Sequence, residues 1–479
     1  MGARRTLLRQ ALACAAVLAI AAACGGGGGS GSQSGGFGGS GGGRSAAHAI
    51  SVWILENEPD RVRAARADFA GFTRASGIMV NLTALSEDDL ASAVADARRA
   101  HRLPDVLQLP LASVHAYAVD NMLDNTAVGE VLDRLGDETF NQTALSLVSR
   151  DGIPAAVPSD GWGQLLVYRK DLFARAGLRA PRTLDDVVAA ARRLDQPGRR
   201  AGITLATVPG DVFTAQTFEH VALAAACRVV DDRGRIRLTS PRCERAFRLY
   251  VELARRYSPG GPQDVDSTRN TYFAGRAAMI FWSPFLLDAM AGLRADAVPT
   301  CPQCRADPAF LARNSGLVGP LADGERNPSP AAQFGELSSW GITVGADAEA
   351  ARSFVEYMLS GGYLRWLALS PQGKYPVRTG DRGDPERFAT AWTRLESGVE
   401  RRAPLARYYG RALIDSLGDG VRGFQRWGFP QGQAALMGAL RNEEAITRPL
   451  ALAIAGTIDP ATAARQAQLA VREVKAGTR

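Results

Sequence analysis

The amino-acid sequence predicts an α/β fold built on mainly parallel sheets flanked by helices. Short apolar runs rich in β-branched residues alternate along the chain with segments of helical periodicity, which is typical of βαβ units. The body that begins at His48 is long enough for two domains. No repeat of about 20 to 50 residues stands out, and nothing beyond residue 24 is apolar enough to span a bilayer.

The N-terminus has the features of an export signal. Three arginines, the last of them Arg9, precede an apolar run that ends at Ala23 and is too short to span a membrane. The letters AAAC that end this run resemble a bacterial lipobox, with Ala21 where leucine is usual. We expect a signal peptide over residues 1–23 and a lipidated Cys24 that holds the protein at the extracytoplasmic face of the cell membrane. The alternative is an ordinary secretory signal followed by a chance cysteine.

A linker rich in glycine and serine follows over residues 24–47, and it predicts a flexible tether that reaches roughly 25 Å. Its GxGxxG matches follow no strand, so they do not indicate a nucleotide site. The formal net charge of +7 falls to +4 once the three arginines of the signal are removed, because that segment has no acidic residue. Such a small excess gives no support to nucleic-acid binding.

Four cysteines remain beyond Cys24, and an even number in an exported protein indicates disulfides with three possible connectivities. We favour Cys227–Cys243, because an Asp-Asp-Arg-Gly turn lies between them, and Cys301–Cys304. The alternative for the second pair is a redox CxxC or half of a zinc site.

The first part of the body is predicted from strand-like runs and helix caps. The run AISVWIL is apolar and β-rich, Phe69 and Phe72 continue a helical spacing, and Ser86 with the acidic residues after it resembles a capping box. Further along, Thr183 begins a second capping box and Gly177 is a candidate C-cap. The predicted strands are 49–55, 78–84, 105–109 and 165–168, and the predicted helices are 59–74, 86–99, 170–176 and 184–194.

The second part is read in the same way. Ser240 and Pro241 are placed as N-cap and first residue of a helix whose buried face includes Phe247 and Tyr250. The runs AAMIFW at 277–282 and WGITV at 340–344 predict buried strands. Helices are predicted at 348–359 and from the Asp459-Pro460 cap to 475.

Five landmarks along the chain carry a family resemblance. In order they are ISVWILENEP, LPDVLQLP, VPSDGWGQLLVYRKDLFARAGLRAPRTLDDV, YFAGRAAMIFWSPF and GKYPVRTG. Together they resemble the bacterial ABC-transporter extracellular solute-binding proteins of family 1, the sugar-binding group related to maltose-binding protein. The resemblance covers about residues 49–475, and it departs from the usual pattern at Arg169, usually Asn, and Leu184, usually Trp.

The resemblance implies a two-lobed periplasmic-binding-protein-like fold with a ligand cleft between the lobes. We expect one lobe from residues 48–157 and about 319–370, and the other from residues 158–318 and about 371–479. It further implies a monomer that captures a carbohydrate, undergoes no chemistry with it, needs no cofactor or metal, and delivers it to ABC permease subunits in the membrane.

Sugar recognition requires flat aromatic faces and planar polar groups, and the sequence offers both at the matching landmarks. The strongest candidate is Trp162, because the glycines beside it leave its backbone close to anything bound. The ten candidate ligand-binding residues are Glu56, Asn57, Glu58, Asp160, Trp162, Trp282, Phe285, Glu336, Trp340 and Trp427.

Each candidate has a structural alternative. The acidic residues after the first strand could form a surface turn, and Trp340 and Trp427 could serve in domain packing. Only one of Trp282 and Phe285 is expected to stack on a sugar. Arg378 is expected in a structural salt bridge, and Trp366 in the core.

Two other functional classes stay open at this point. A secreted glycoside hydrolase would also need tryptophans and a pair of carboxylates. The body from residue 48 onward contains no GxSxG, HExxH or P-loop sequence that would support an enzyme. A surface sensor or adhesin could use the same cleft.

Overall fold

The computed structural model describes residues 48–477, and two sheets organise this part of the chain. Its strands are β1 (Ala49–Ile54), β2 (Met79–Ala84), β3 (Val106–Pro110), β4 (Ser149–Arg150), β5 (Ile153–Pro154), β6 (Val157–Gly163), β7 (Leu165–Arg169), β8 (Met279–Trp282), β9 (Ser315–Val318), β10 (Gly335–Ile342), β11 (Tyr375–Pro376), β12 (Glu396–Ser397) and β13 (Ala403–Pro404).

Helices cover both sheets. Those of the N-terminal part are α1 (Pro59–Ser76), α2 (Leu90–Arg99), α3 (Leu111–Val119), α4 (Asn125–Leu135), α5 (Gln142–Val148), α6 (Lys170–Arg175), α7 (Leu184–Leu194), α8 (Val212–Ala224), α9 (Pro241–Arg256) and α10 (Val265–Phe273). The remaining ones are α11 (Leu287–Met290), α12 (Phe310–Asn314), α13 (Ala348–Met358), α14 (Tyr363–Leu367), α15 (Arg387–Trp392), α16 (Arg411–Gly423), α17 (Ala434–Asn442), α18 (Thr447–Ala455) and α19 (Pro460–Gly477).

The first sheet has six strands in the order β11-β6-β10-β3-β1-β2. β1 pairs parallel with β2 and β3, whereas β10 runs antiparallel to its neighbours β3 and β6, and β11 runs antiparallel to β6. The carboxyl ends of β1, β2, β3 and β6 therefore meet at one edge, together with the amino ends of β10 and β11. In open α/β sheets this is the edge where ligands bind.

The second sheet has the order β8-β7-β9. Only one residue separates its central strand β7 from β6 of the first sheet. β6 passes through Gln164 directly into β7, which is antiparallel to both neighbours. The expectation of a mainly parallel sheet is therefore corrected here, because the helical connections that follow β7 return the chain as two strands that both run antiparallel to it. Parallel pairing beside this sheet comes from the single bridges Ala201–Ala277 and Thr204–Ile280.

Register places Leu165, the first residue of β7, opposite Trp282, the last residue of β8. The carboxyl end of β8 thus lies beside Gln164, where the binding edge of the first sheet ends. We call the region formed by these two edges the sheet junction.

Most predicted elements are confirmed, and local side-chain chemistry explains them. The Thr183 hydroxyl accepts the Asp186 N–H and the Asp186 carboxylate accepts the Thr183 N–H, both at 3.0 Å, which is the predicted capping box. Ser240 caps α9 and Pro241 is its first residue, as predicted. Gly177 has φ +68°, a conformation that favours glycine after a helix.

Several boundaries differ from the prediction, and the starts of α2 and β10 differ most. α2 begins at Leu90, because Ser86 exchanges hydrogen bonds with Asp89 in a turn ahead of the helix. β10 begins at Gly335 instead of residue 340, and β8 begins at Met279.

Both predicted disulfides, Cys227–Cys243 and Cys301–Cys304, are present. All four cysteines are buried. Among residues 48–477, none of the helices is both long and apolar enough to cross a bilayer.

Candidate ligand-binding site

A buried lysine organises the acidic groups at the sheet junction. Lys374, just ahead of β11, lies with its Nζ 2.7 Å from Oε1 of Glu56 and 3.4 Å from Oδ1 of Asp160. Its ammonium also lies 4.4 Å from the ring centroid of Trp366, whose indole N–H donates to Asp160 Oδ2 at 2.9 Å. Carboxylates predicted from two distant segments are therefore brought together around a cation that the sequence analysis did not single out.

The charges of this group stabilise each other against the cost of burial. Burial opposes ionisation of Glu56, but Lys374 and Arg61 outweigh it and hold the pKa of that carboxyl below its usual value. Burial likewise acts against the charged form of Lys374, yet Asp160 and Glu56 raise the pKa of its amine. Removing any one partner would leave an uncompensated charge in a place that excludes water.

A second ion-pair group spans the junction beside β10. Arg426 donates to Oε2 of Glu336 at 2.9 Å and to Oε1 of Glu219, on α8, at 3.1 Å. The other oxygen of Glu336 accepts the N–H of Leu111, the first residue of α3, at 2.9 Å. Burial raises the pKa of Glu219 in spite of Arg426. Arg426 thus connects a strand of the first sheet to a helix that precedes the second sheet's β8.

An aromatic row joins the two ion-pair groups. The ring of Trp162 lies 6.4 Å from that of Phe285 and 5.7 Å from that of Phe334, measured between centroids. The guanidinium of Arg61 lies 5.3 Å from the Phe285 centroid, and that of Arg426 lies 4.7 Å from the Phe334 centroid. Trp162 and Phe285 are both partly exposed. Apolar faces bordered by ion-paired side chains are the surface that sugar recognition requires.

The glycines beside Trp162 make room for neighbouring protein groups, which differs from the role expected for them. A Cβ on Gly161 would lie 2.8 Å from Leu337 and 2.9 Å from the Glu336 carbonyl, and one on Gly163 would lie 2.6 Å from the Gln333 amide. The close approach of β10 thus explains Gly161, and the side chain of Gln333, just ahead of β10, explains Gly163.

A cavity of about 60 Å³ adjoins this row and is lined in part by Phe334, Glu336, Arg426 and Trp427. Pockets for small molecules are typically about 300–1,000 Å³. In this conformation the cavity is too small for a sugar, so a ligand would require the two sides of the junction to move apart.

Some predicted site residues serve the core instead. Trp340 has 0% exposure and packs on Trp366 with centroids 4.9 Å apart, so its predicted ligand role is corrected to a core role. β10 places it four residues beyond Glu336, well inside the sheet. Trp282 is buried against Phe213, with centroids 4.5 Å apart. Of Trp282 and Phe285, Phe285 is the partly exposed one.

The remaining candidates lie at the margins. Asn57 is exposed and Glu58 is partly exposed, with its carboxylate 3.7 Å from Arg294. Trp427 lines the small cavity, but its indole N–H already donates to the Cys227 carbonyl at 2.8 Å. Arg378 makes no salt bridge within residues 48–477: its guanidinium donates to the Thr139 hydroxyl and to backbone carbonyls.

Sequence reasoning missed Arg61, Glu219, Lys374 and Arg426. One signal could have pointed to Lys374, since lysine is rare in this arginine-rich chain and this one stands in the GKYPVRTG landmark. Nothing local marks Glu219 or Arg426, whose partners lie far away in sequence.

Comparison with known proteins places the chain in a family. The family described as bacterial extracellular solute-binding protein matches residues 56–363. A relative from Escherichia coli, the putative ABC transporter periplasmic-binding protein YcjN, is 29% identical over 308 residues, which span 63% of this chain and 66% of the relative, just under two thirds of its length.

Solved structures share the fold at low identity. Maltose-bound MalE3 of T. maritima superposes with a TM-score of 0.69 at 18% identity, over 90% of this chain and 99% of that one. The GacH receptor of Streptomyces glaucescens gives 0.68 at 16%, again over 90% and 99%. A solute-binding protein from Thermotoga lettingae with bound alpha-D-tagatose gives 0.67 at 20%, over 89% and 99%.

These likenesses confirm the two-lobed α/β fold expected from the sequence. Since the family match extends over more than half of the chain, the protein belongs to the bacterial extracellular solute-binding proteins.

Proposed function

We propose that this protein captures a sugar or oligosaccharide at the sheet junction and delivers it to the membrane permease of an ABC importer. The observation that carries the proposal is the partly exposed Trp162–Phe285 surface flanked by buried ion pairs. The E. coli relative is named as an ABC transporter component, and solved neighbours hold maltose, tagatose or D-mannitol. Glu56, Asp160, Trp162, Phe285 and Glu336 are the ligand-facing residues of this proposal, with Asn57, Glu58 and Trp427 at its margin.

The two lobes are proposed to divide where the chain passes between the two sheets. β6 and β11 pair within the first sheet, so the proposed divisions fall at Gln164 and beyond β11, whereas the sequence led us to expect them at residue 157 and about residue 370; the division at about 319 is kept. The passage from β6 through Gln164 into β7 is then one crossing, and the connection from β9 to β10 is another. Ligand binds while the lobes are apart, and contacts made only in the closed form stabilise closure.

The proposed setting is the outer face of the cell membrane, with Cys24 lipidated and residues 24–47 as tether. The proposed partners are permease subunits that recognise the closed monomer. No catalytic role is assigned, because the carboxylates of Glu56, Asp160, Glu219 and Glu336 are engaged with lysine or arginine and Asp288 is only 2% exposed, whereas a glycosidase needs an accessible carboxyl group to protonate the leaving group.

A thermal-shift panel of maltose, D-tagatose, D-mannitol and ribitol tests the proposal. A ligand that binds only the folded state stabilises it by about 2.7 kcal/mol at one hundred times its Kd. Trp162→Ala should abolish the shift and leave the unliganded melt nearly unchanged, because the ring is partly exposed. A large loss of unliganded stability would place Trp162 in the core, and steady release of reducing sugar from a glycoside would establish an enzyme instead.

A further inference from the structure

The 3-10 turn Pro371–Gly373, which leads into Lys374, contains polar groups without partners. Among the described residues, the buried hydroxyl of Ser370 and both buried amide atoms of Gln372 have no partner at hydrogen-bond distance and angle, and the Asp288 carboxyl is the polar group that the Gln372 amide approaches. The Nε atom of Arg61 is also buried and has no hydrogen-bond partner in the described part of the chain. Gln372 is 3% exposed and Ser370 is 2% exposed. Native proteins pair the great majority of such groups, so an unpaired cluster requires an explanation.

Arg61 and the turn meet at Phe285, in the aromatic row. Arg61 donates to Glu56 at 3.3 Å and places its guanidinium over Phe285. Phe285 in turn presses on the turn, since a Cβ on Gly373 would lie 2.2 Å from its ring. Phe285 follows β8 of the second sheet, whereas the turn leads into β11 of the first. Separation of the two sheets would therefore withdraw Phe285 and open the turn to a ligand.

Resting on the proposed function, we infer that Gln372, Ser370 and Arg61 form a hydroxyl-recognition subsite that one end of the bound sugar completes. An amide offers both a donor and an acceptor, a hydroxyl offers both, and the guanidinium Nε–H donates. This set matches two adjacent hydroxyl groups of a neutral sugar or polyol. An anionic group is disfavoured, because the buried carboxyls of Glu56 and Asp288 stand beside Arg61 and the turn.

The subsite has a consequence for closure. With no ligand hydroxyl present, closing the junction leaves these polar groups without partners, so closure alone is unfavourable there. A sugar that supplies the partners makes closure favourable. The turn would thus couple ligand binding to the movement of the second sheet.

The test compares Gln372→Met with Gln108→Met, a matched buried amide that is fully bonded. Gln108 accepts the Leu55 N–H at 2.8 Å and donates to Ser338 at 2.7 Å. Without ligand, the melting temperature of Q372M should equal or exceed that of the unsubstituted protein, whereas that of Q108M should fall. The calorimetric Kd of Q372M for maltose, or for the panel member with the largest shift, should be at least about tenfold weaker.

A second variant controls for misfolding of Q372M. Ser370→Ala removes only an unpaired hydroxyl, so its unliganded melting temperature should be unchanged while its Kd rises. Unchanged affinity in both variants would refute the subsite while the proposed function stands. A fall of the unliganded melting temperature of Q372M as large as that of Q108M would show that Gln372 is structurally bonded, which also refutes it. If the unsubstituted protein binds no member of the panel, the proposed function fails and this inference fails with it.

Discussion

Asp288 should make the protein less stable as the pH rises from acid to neutral. It lies in α11, just beyond β8, with 2% exposure, and Oδ1 accepts the Ala289 N–H at 2.7 Å. Burial raises the pKa of Asp288 to about 6 from an ordinary 3.8, against the opposing influence of Arg294 and Arg61. The Gln372 amide and Tyr409 are its other polar neighbours, and neither carries a charge at neutral pH.

The sign and size follow from proton binding. Between pH 4 and pH 6, roughly, the folded state keeps the Asp288 proton that the unfolded state has lost, so the free energy of unfolding falls as the pH rises through this window. A separation of about two pKa units corresponds to about 3 kcal/mol at neutral pH. Asp288→Asn removes this cost. The variant should therefore be the more stable protein at pH 7.5, by up to about 3 kcal/mol, and should match the unsubstituted protein near pH 4.

The difference in free energy of unfolding between D288N and its parent is measured by urea unfolding of the oxidised proteins. The pH values, about 4.5, 5.5, 6.5 and 7.5, cover the range over which the Asp288 proton is lost. Asp296→Asn is the control, because the hydrogen bond from Arg294 lowers the pKa of Asp296 and its variant should be no more stable at any of these values. A D288N protein that is less stable than its parent at pH 7.5, or a difference that stays constant across the series, would show that the Asp288 carboxyl is stabilised by its neighbours and refute the reasoning.

Two further predictions concern the ion pairs. Arg426→Met leaves Glu219 and Glu336 without their buried cation, so the free energy of unfolding measured in urea should fall by about 3–5 kcal/mol. Adding Glu219→Gln to this variant should recover part of the loss. An R426M protein as stable as its parent would contradict the prediction. Lys374→Met should lower the free energy of unfolding at pH 7 by about 3–5 kcal/mol, because it leaves the Glu56 carboxylate buried and unpaired. This loss should shrink as the pH is lowered and the carboxyl takes up a proton. A loss that does not depend on pH would indicate a packing defect instead.

Local signals predicted local structure well. The caps at Thr183 and Ser240 stand within three residues of the groups that they bond, so sequence spacing contains the whole interaction. The hairpin between Cys227 and Cys243 is likewise a short-range feature. Alternation of strands and helices then led to the binding edge of the first sheet, because carboxyl ends of parallel strands meet there whatever the connections are.

Long-range pairing could not be predicted in this way. Glu56 follows β1 and Lys374 precedes β11, so the two residues are far apart in the sequence and no spacing rule connects them. The segment GELSSW reads as a loop by composition, yet it forms the start of β10, where Glu336 reaches the junction and Trp340 enters the core. Its small residues suit a strand that approaches β6 closely, and only the pairing reveals this.

Core aromatic residues orient the acidic group at the centre of the junction. β6 carries one extra residue, Ser159, between successive pairs with β10, and such a bulge re-aims the side chains of its strand. The Tyr363 hydroxyl donates to the Ser159 carbonyl, and the Trp366 indole N–H donates to Asp160. Trp366 is buried, as predicted for a core residue, but its polar edge holds the carboxylate while its face adjoins Lys374. Sorting tryptophans into core or binding residues by sequence alone therefore misses a third role, in which a buried ring positions the charged groups of the candidate site.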